Sequence, residues 1–552
     1  MSAGTSGLPQ TQYAIQLVGP GELVLNTAKP VLRPGPHQIL AQVEAVGLCF
    51  SDLKLLKQFS AHPRKGDIIA GIAPEVLAEI PSYVPASKPT VPGHEVACRL
   101  VAVGDAVRHH KVGERCLVQT DYRALPTAGS NGSFGYNFEG GLQEYVLMDE
   151  RVVMDPTTGE RFLIPVSEAR SASSIALVEP WACVEDSYVN IERRTLKAGG
   201  RLLIVSDHAA LRRVPAGLPY APEGRPAEVF LGAPSAAAQR PDASFDDIIC
   251  FGASRPVLEM LNDKLAARGI LNVVLGGRKI GESVSVGVGR LHYGMTRWIG
   301  AAGSDAADAY RTIPETGELR PGDRVAVIGA GGPMGQMHVI RALCSGVNGI
   351  EIFATDVDDA RLESLGAKAM PMAGANGVAL HLVNTARAPL AGKATYVALM
   401  APVGALVAAA VRDIAPGGLI NIFAGIPAPT RQDLDLDACI AKRCFMFGTS
   451  GSVIRDMKIV LEKVESGRLD TDCSVDAVCG MAGAAGGMAA VENRTLAGKI
   501  IVYPALRDVG LIPLAGMAKH FPTVAARLEN GRWCRAAEQE LLKAARPATK
   551  AG

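Results

Sequence analysis

The sequence predicts an α/β protein in three parts: a β-rich, barrel-like domain, then two tandem βα domains, the first of them degenerate. Three observations carry this expectation. Short strand-like runs separated by turn residues fill residues 10–55 and 92–155. An apolar strand entered from a Gly-containing turn occurs twice, as LKAGGRLLIVS (196–206) and LRPGDRVAVIG (319–329). Segments downstream of these two strands match each other in the same order.

The chain has 552 residues, enough for three or four ordinary domains and several buried cores. Hydrophobic residues at 48% and charged residues at 20% give the composition of a soluble globular protein. Aromatics at 5% argue against a stacking platform for carbohydrate or single-stranded nucleic acid. A formal net charge of +1 gives nucleic acid no electrostatic footing. The N-terminal stretch lacks a signal-peptide pattern, and no run approaches the roughly 20 apolar residues of a membrane span. The 11 cysteines are scattered without tight spacing, as for reduced thiols, so a cytoplasmic protein is expected.

The barrel-like part rests on HQILAQVEAVGL (37–48), HEVACRLVAVG (94–104) and GERCLVQTDY (113–122). Residues 58–92 are punctuated by proline and read as a long irregular excursion. Residues 167–194 have helical apolar spacing and lead out of the domain. The repeat then begins. Leu196 aligns with Leu319 at an offset of 123. Further on, Gly269, Asn272 and Gly276 match Gly418, Asn421 and Gly425 at 149, and IGAAGS (299–304) matches FGTSGS (447–452) at 148. The first copy is therefore shortened in its early half. The expected boundaries are 1–194, completed by a C-terminal return at 491–552, with 195–310 and 311–490 as the two copies. Within the return, 523–547 is a helix whose role is packing.

The second copy carries a nucleotide site. RVAVIGAGGPMGQMHVIRALCSG (324–346) is a buried strand, a glycine-rich turn and a helix. Gly329, Gly331, Gly332, Pro333, Met334 and Gly335 form the turn, where backbone N–H groups at a helix N-terminus approach a pyrophosphate. Asp356 ends the next strand, 21 positions after Gly335. There it accepts hydrogen bonds from ribose hydroxyls and repels a 2′-phosphate, which favours NAD over NADP. The glycines follow G-x-x-G-x-x-G rather than G-x-G-x-x-G. The equivalent of this loop in the first copy, VSDHAALRR (205–213), has no glycine and offers Asp207 instead. A structural or interface role is expected for that copy.

Three separated segments offer zinc-type donors: GLCFSD (47–52), VPGHEV (91–96) and ALVEPWACVEDSY (176–188). Cys49, His94, Glu95 and Glu179 are the candidate ligands. A thiolate, an imidazole and a carboxylate leave Zn²⁺ near neutral, with one position open as a catalytic site requires. Such an ion lowers the pKa of an alcohol and favours hydride departure to a nicotinamide.

These pieces, with VGERCLV, GGLQEYV, VEPWAC and GKIIVYP (498–504), resemble the zinc-dependent medium-chain dehydrogenase/reductase superfamily, nearest its sorbitol and sorbose-phosphate branch. The resemblance implies a GroES-like β-barrel catalytic domain and Rossmann-like βα domains. It makes Cys49 and His94 the first two zinc ligands, and Glu95 and Glu179 the carboxylates that alternate between ligation and holding the zinc-bound water. Glu179 stands where alcohol dehydrogenases have a second cysteine. Ser51 becomes the hydroxyl that passes the substrate proton outward, and Asp52 the acid that orients His94. Lys54 stands where the family often places a relay histidine. No cysteine lies in 117–150, so one zinc is expected, not two.

The function implied is hydride transfer between NAD and a secondary alcohol of a polyol or sugar, with phosphorylated sugars included through Arg64 and Lys65. A small-molecule substrate, no nucleic acid or membrane partner, and a homo-oligomer (dimer or tetramer) are expected. The alternatives are a zinc-free quinone or enoyl reductase of the same superfamily and a non-catalytic NAD-sensing scaffold.

Overall fold

A computed structural model describes residues 7–208 and 213–545. The chain forms two compact units, Met1–Ala182 with Ser452–Gly552, and Cys183–Gly451.

The first unit is built on an eight-stranded sheet. Strand Gln38–Gly47 lies at its centre, antiparallel to Glu95–Val103 on one side and to Lys499–Val502 on the other, with Tyr145–Asp149 pairing along it as well. Val43, Val46, Val96, Cys98, Val118, Val146, Ile500 and Val502 pack into one buried cluster. The β-branched alternation that marks these runs in the sequence is this inward face. The return into this unit begins at Ser452 and not at 491, because strand Val475–Cys479 pairs with Lys499–Val502 and so extends this sheet. The helical stretch expected over 167–194 is two helices, Ala172–Ala176 and Val178–Val189, with the Ser171 side chain capping the first. The excursion holds only short helical turns, such as Pro63–Lys65 and Pro74–Ala78. In place of one helix over 523–547 there are two short ones, Pro522–Ala525 and Arg535–Ala544; the second packs, its buried Glu538 accepting the backbone N–H of Ala172 at 2.7 Å and of Ser173 at 2.9 Å. Residues 546–547 of the expected tail helix lie outside the described residues.

The second unit contains two parallel sheets. One runs Ala379–Asn384, Glu351–Asp356, Arg324–Ile328, Tyr396–Leu399, Leu419–Ile422, Phe445–Phe447, which is the 3-2-1-4-5-6 order of a dinucleotide-binding fold. The other runs Glu228–Gly232, Arg201–Ser206, Phe245–Phe251, Leu265–Val274, Arg297–Ala301. It is the same sheet without its first edge strand. The offset of 123 holds from Arg201/Arg324 to Glu228/Glu351. By Arg297/Phe445 it is 148. Between those points the second copy has an 18-residue helix, Asp359–Asn376, and the edge strand, whereas the first has only the helix Pro234–Ala238. The shortening seen in the sequence is this missing helix–strand step. Among the described residues no helix is long and apolar enough to cross a membrane.

Candidate metal centre and nucleotide cradle

In the first unit, Cys49 follows the central strand and is the N-cap of helix Phe50–Gln58. The cap places Asp52 beneath it. The Asp52 carboxylate accepts the Cys49 N–H at 3.0 Å and the Gly93 N–H at 3.3 Å, and it lies 3.1 Å from His94 Nδ1. With Nδ1–H given to Asp52, the lone pair of Nε2 faces the other way, where Ser51 Oγ stands 3.2 Å off. Burial opposes protonation of His94, but the Asp52 charge beside it holds its pKa well above the usual imidazole range.

Glu95 follows His94 and enters the sheet. Its Oε1 meets Lys499 Nζ at 2.5 Å, with both side chains buried. Its Oε2 is buried with no hydrogen-bond partner. Only glycine fits opposite, since a Cβ on Gly47 would lie 2.0 Å from that oxygen. One donor atom each from Cys49, His94 and Glu95 lie within 4.8 Å of one another. A soft thiolate, an imidazole and an orphaned carboxylate oxygen converging in this way fit zinc. Glu179 sits in the first turn of helix Val178–Val189 and lies outside this trio. Burial, opposed by His94 and reinforced by the Glu95 charge, pushes its carboxyl up to about 7.

Sequence reasoning missed the side chains around this centre. Lys499 is 404 positions from Glu95, and nothing local marks it. Thr120 Oγ1 donates to the His94 carbonyl at 3.1 Å. The Tyr136 ring lies 5.8 Å from the His94 ring and 5.1 Å from that of His62, which the excursion supplies. Burial and the nearby Arg64 and Lys54 charges lower the His62 pKa to about 4. Arg64 lies over Tyr136 and pairs with Asp121 at 2.9 Å. Lys65 is fully buried, donating to the carbonyls of Val84 and Lys88. Neither basic side chain is presented to a phosphate as the sequence suggested: one is matched by a carboxylate, the other committed to backbone.

In the second unit, strand Arg324–Ile328 turns at Gly329, whose φ is +84°, into helix Pro333–Leu343 with Gly332 as N-cap and Met334 in its first turn. A Cβ on Gly335 would lie 2.3 Å from the Gly329 carbonyl. This crowding brings the helix N-terminus onto the strand end. Asp356 ends the adjacent strand and accepts the Gly331 N–H at 2.9 Å. In the first copy the counterpart strand, Arg201–Ser206, is followed by Asp207. There Asp207 accepts the N–H groups of Ala253 and Ser254 at 2.7 Å each and meets Arg278 at 3.2 Å. Its own carboxylate takes the backbone donors next to helix Arg255–Lys264. Residues 209–212 of that loop lie outside the described residues.

Residues 35–157 match the alcohol dehydrogenase GroES-like domain. The sorbitol dehydrogenase of Bos taurus is 33% identical over 101 residues, 18% of this chain and 22% of that one, so the match spans about a fifth of the relative. That of Sus scrofa is 33% identical over 97 residues, 18% of this chain and 78% of its sequence. The uncharacterized protein YggP of Escherichia coli is 23% identical over 346 residues, 53% of this chain and 75% of that one. Among solved structures, 2R,3R-butanediol dehydrogenase from Bacillus subtilis aligns at a TM-score of 0.50 with 15% identity, covering 90% of this chain and all of that one, a likeness of fold.

Proposed function

The chain belongs to the medium-chain dehydrogenase/reductase superfamily, and from that premise we propose that it is a zinc-dependent, NAD-linked dehydrogenase acting on a secondary alcohol of a polyol or sugar. The observation that carries this reading is the convergence of Cys49, His94 and Glu95 donors within 4.8 Å, around a buried carboxylate oxygen with no partner. Cys49, His94 and Glu95 would hold zinc, with Glu179 as the carboxylate that exchanges with them. Gly329, Gly331, Gly332, Pro333, Met334 and Gly335 would cradle the pyrophosphate of NAD, with Asp356 on the ribose. When bound, zinc supplies a Lewis acid for the alcohol oxygen and the nicotinamide a hydride acceptor.

The chain's own residues do the rest. Asp52 fixes the His94 tautomer through Nδ1. Lys499 balances the Glu95 charge. Ser51 Oγ takes the proton of the substrate hydroxyl and hands it outward past Tyr136. Lys54 replaces the usual relay histidine, and the His62 ring stands 5.1 Å from that of Tyr136 beside the path. With its pKa lowered to about 4 it is a neutral imidazole at pH 7, and because its Nδ1 accepts the Arg64 N–H at 3.2 Å, Nε2 carries the hydrogen and serves as a donor. Because Arg64 and Lys65 are committed elsewhere, an unphosphorylated polyol suits the site better than a sugar phosphate.

The test is a screen of polyols, sugar phosphates and simple secondary alcohols with NAD and NADP, with metal analysis alongside. Cys49→Ala should abolish turnover and lower the zinc content while NAD binding persists. Full activity in that variant sinks the zinc mechanism. A metal-free parent enzyme indifferent to chelators would transfer the reading to a zinc-free reductase.

A further inference from the structure

The two βα copies meet each other in a particular way. Short strands Val284–Val286 and Gln432–Leu434 pair antiparallel, with Val284 opposite Leu434, Ser285 opposite Asp433 and Val286 opposite Gln432. At the repeat offset of 148, Val284 corresponds to Gln432, Ser285 to Asp433 and Val286 to Leu434. Exchanging the copies therefore turns the Val284–Leu434 pair into the Val286–Gln432 pair and leaves Ser285–Asp433 in place. That is the register of a two-fold contact, in which residue i meets j and j meets i, with Ser285 and Asp433 on the axis.

Other contacts obey the same exchange. A Cβ on Gly300 would lie 2.6 Å from the Ile440 side chain, and one on Gly448 would lie 3.0 Å from His292 Cα. At offset 148, Gly300 corresponds to Gly448 and His292 to Ile440. A Cβ on Gly289 would lie 2.9 Å from Ala428 Cα. Their counterparts, Asp437 and Ile280, are joined by an Ile280 N–H to Asp437 Oδ1 hydrogen bond of 3.0 Å. The contact is apolar at heart: Val284, Val286, Val288 and Leu291 of one copy share a buried cluster with Leu434, Leu436 and Ile440 of the other. The outer strands Arg297–Ala301 and Phe445–Phe447, counterparts in the repeat, each close the end of their own sheet. Left bare, such an edge invites another chain.

We propose that residues 196–306 are a built-in second subunit: they occupy the two-fold face of the nucleotide-binding copy, and no other chain binds there. The first copy is shortened and has Asp207 and no glycine in place of the nucleotide loop, yet it keeps the segments that form this face in register with its twin. A domain kept for its interface needs the second and not the first. The homo-oligomer implied by the resemblance would have to form through a different surface.

The axis residues supply the test. Directly opposed residues of an antiparallel pair lie about 4.5–5.5 Å apart at Cα, within disulfide reach. At a true two-fold between chains, a single Asp433→Cys would meet its own copy and oxidise to a covalent dimer. In the built-in arrangement only Ser285→Cys with Asp433→Cys links, inside one chain. Full-length protein would be oxidised with copper-phenanthroline, separated without reductant, and its peptides mapped by mass spectrometry, with the parent chain as control for its own 11 cysteines. The expected result is a 285–433 linked peptide in a species of one-chain mass, 57.7 kDa, and no dimer above the parent's background for Asp433→Cys alone. A covalent dimer of the single variant, or a double variant without the intrachain link, overturns the proposal. Cofactor and metal play no part in this readout, so it is independent of the catalytic reading.

Discussion

Lys499→Met removes the partner of a carboxylate that has lost nearly all of its water. The Glu95 side chain has 0% exposure and that of Lys499 has 5%, and they meet at 2.5 Å. Glu95 Oε2 accepts no hydrogen bond, so little else offsets the stranded charge. Breaking a buried pair on one side typically costs about 3–5 kcal/mol, because the surviving ion remains desolvated. We expect a loss of that size in metal-free protein at pH 7, read from urea unfolding. Trp181 and Trp533 are buried in the first unit and report its transition by fluorescence, whereas Trp298 belongs to the second. Adding Glu95→Gln should restore much of the loss, since the double variant strands no charge. If Glu95 ligates zinc, metal should also narrow the gap between Lys499→Met and the parent. A metal-free loss below about 1 kcal/mol, the level of an exposed pair, would refute the reasoning.

Gly335→Ala would put a Cβ 2.3 Å from the Gly329 carbonyl and force the loop open. NAD affinity by calorimetry should fall about tenfold or more, about 1.4 kcal/mol, with zinc content unchanged; unaltered affinity would remove the loop from the site. Asp356→Ala should cut the preference for NAD over NADP in kcat/KM about tenfold, the scale of a charged hydrogen bond, and unchanged selectivity would take Asp356 off the ribose. Asp472 is buried between Asp470 and Glu538, and burial first, then those charges, raise its carboxyl from 3.8 to about 8. The folded state thus keeps a proton the unfolded chain has released, so stability falls as pH rises from about 4 to 8, at about 1.4 kcal/mol per unit. Asp472→Asn, with its amide between the Ser171 and Ser173 hydroxyls, should flatten that slope in urea titrations; an unchanged slope would place the titration elsewhere.

How much of this was legible in the sequence depended on chain distance. Cys49 and Asp52 share one helical turn, and His94 and Glu95 are neighbours, so each segment carried its own signal. The strands and the glycine loop are likewise local patterns of alternation and turn. Lys499, Tyr136 and His62 had no such signal. They reach the centre only because Lys499–Val502 pairs with the strand that leads into Cys49, and because the irregular excursion lies against Tyr136. A lysine within GKIIVYP reads as a solvated strand end until the sheet closes around it. The start of the return at Ser452 is hidden for the same reason: nothing in Val475–Cys479 tells which of two sheets it will join.

The repeat is the converse case, where sequence arithmetic held more than a fold assignment. An offset that shifts from 123 to 148 locates one missing helix–strand step, and the structure places that loss at the sheet edge far from the copy-to-copy face. A step at an outer edge can be lost without disturbing the shared core, because edge strands have one neighbour. A step at the facing edge cannot, since Val284, Val286 and Leu291 pack directly on the other copy. The same asymmetry accounts for Asp207. A carboxylate satisfies the backbone donors beside helix Arg255–Lys264 from within the copy, which lacks the glycine loop and keeps the face that its twin requires.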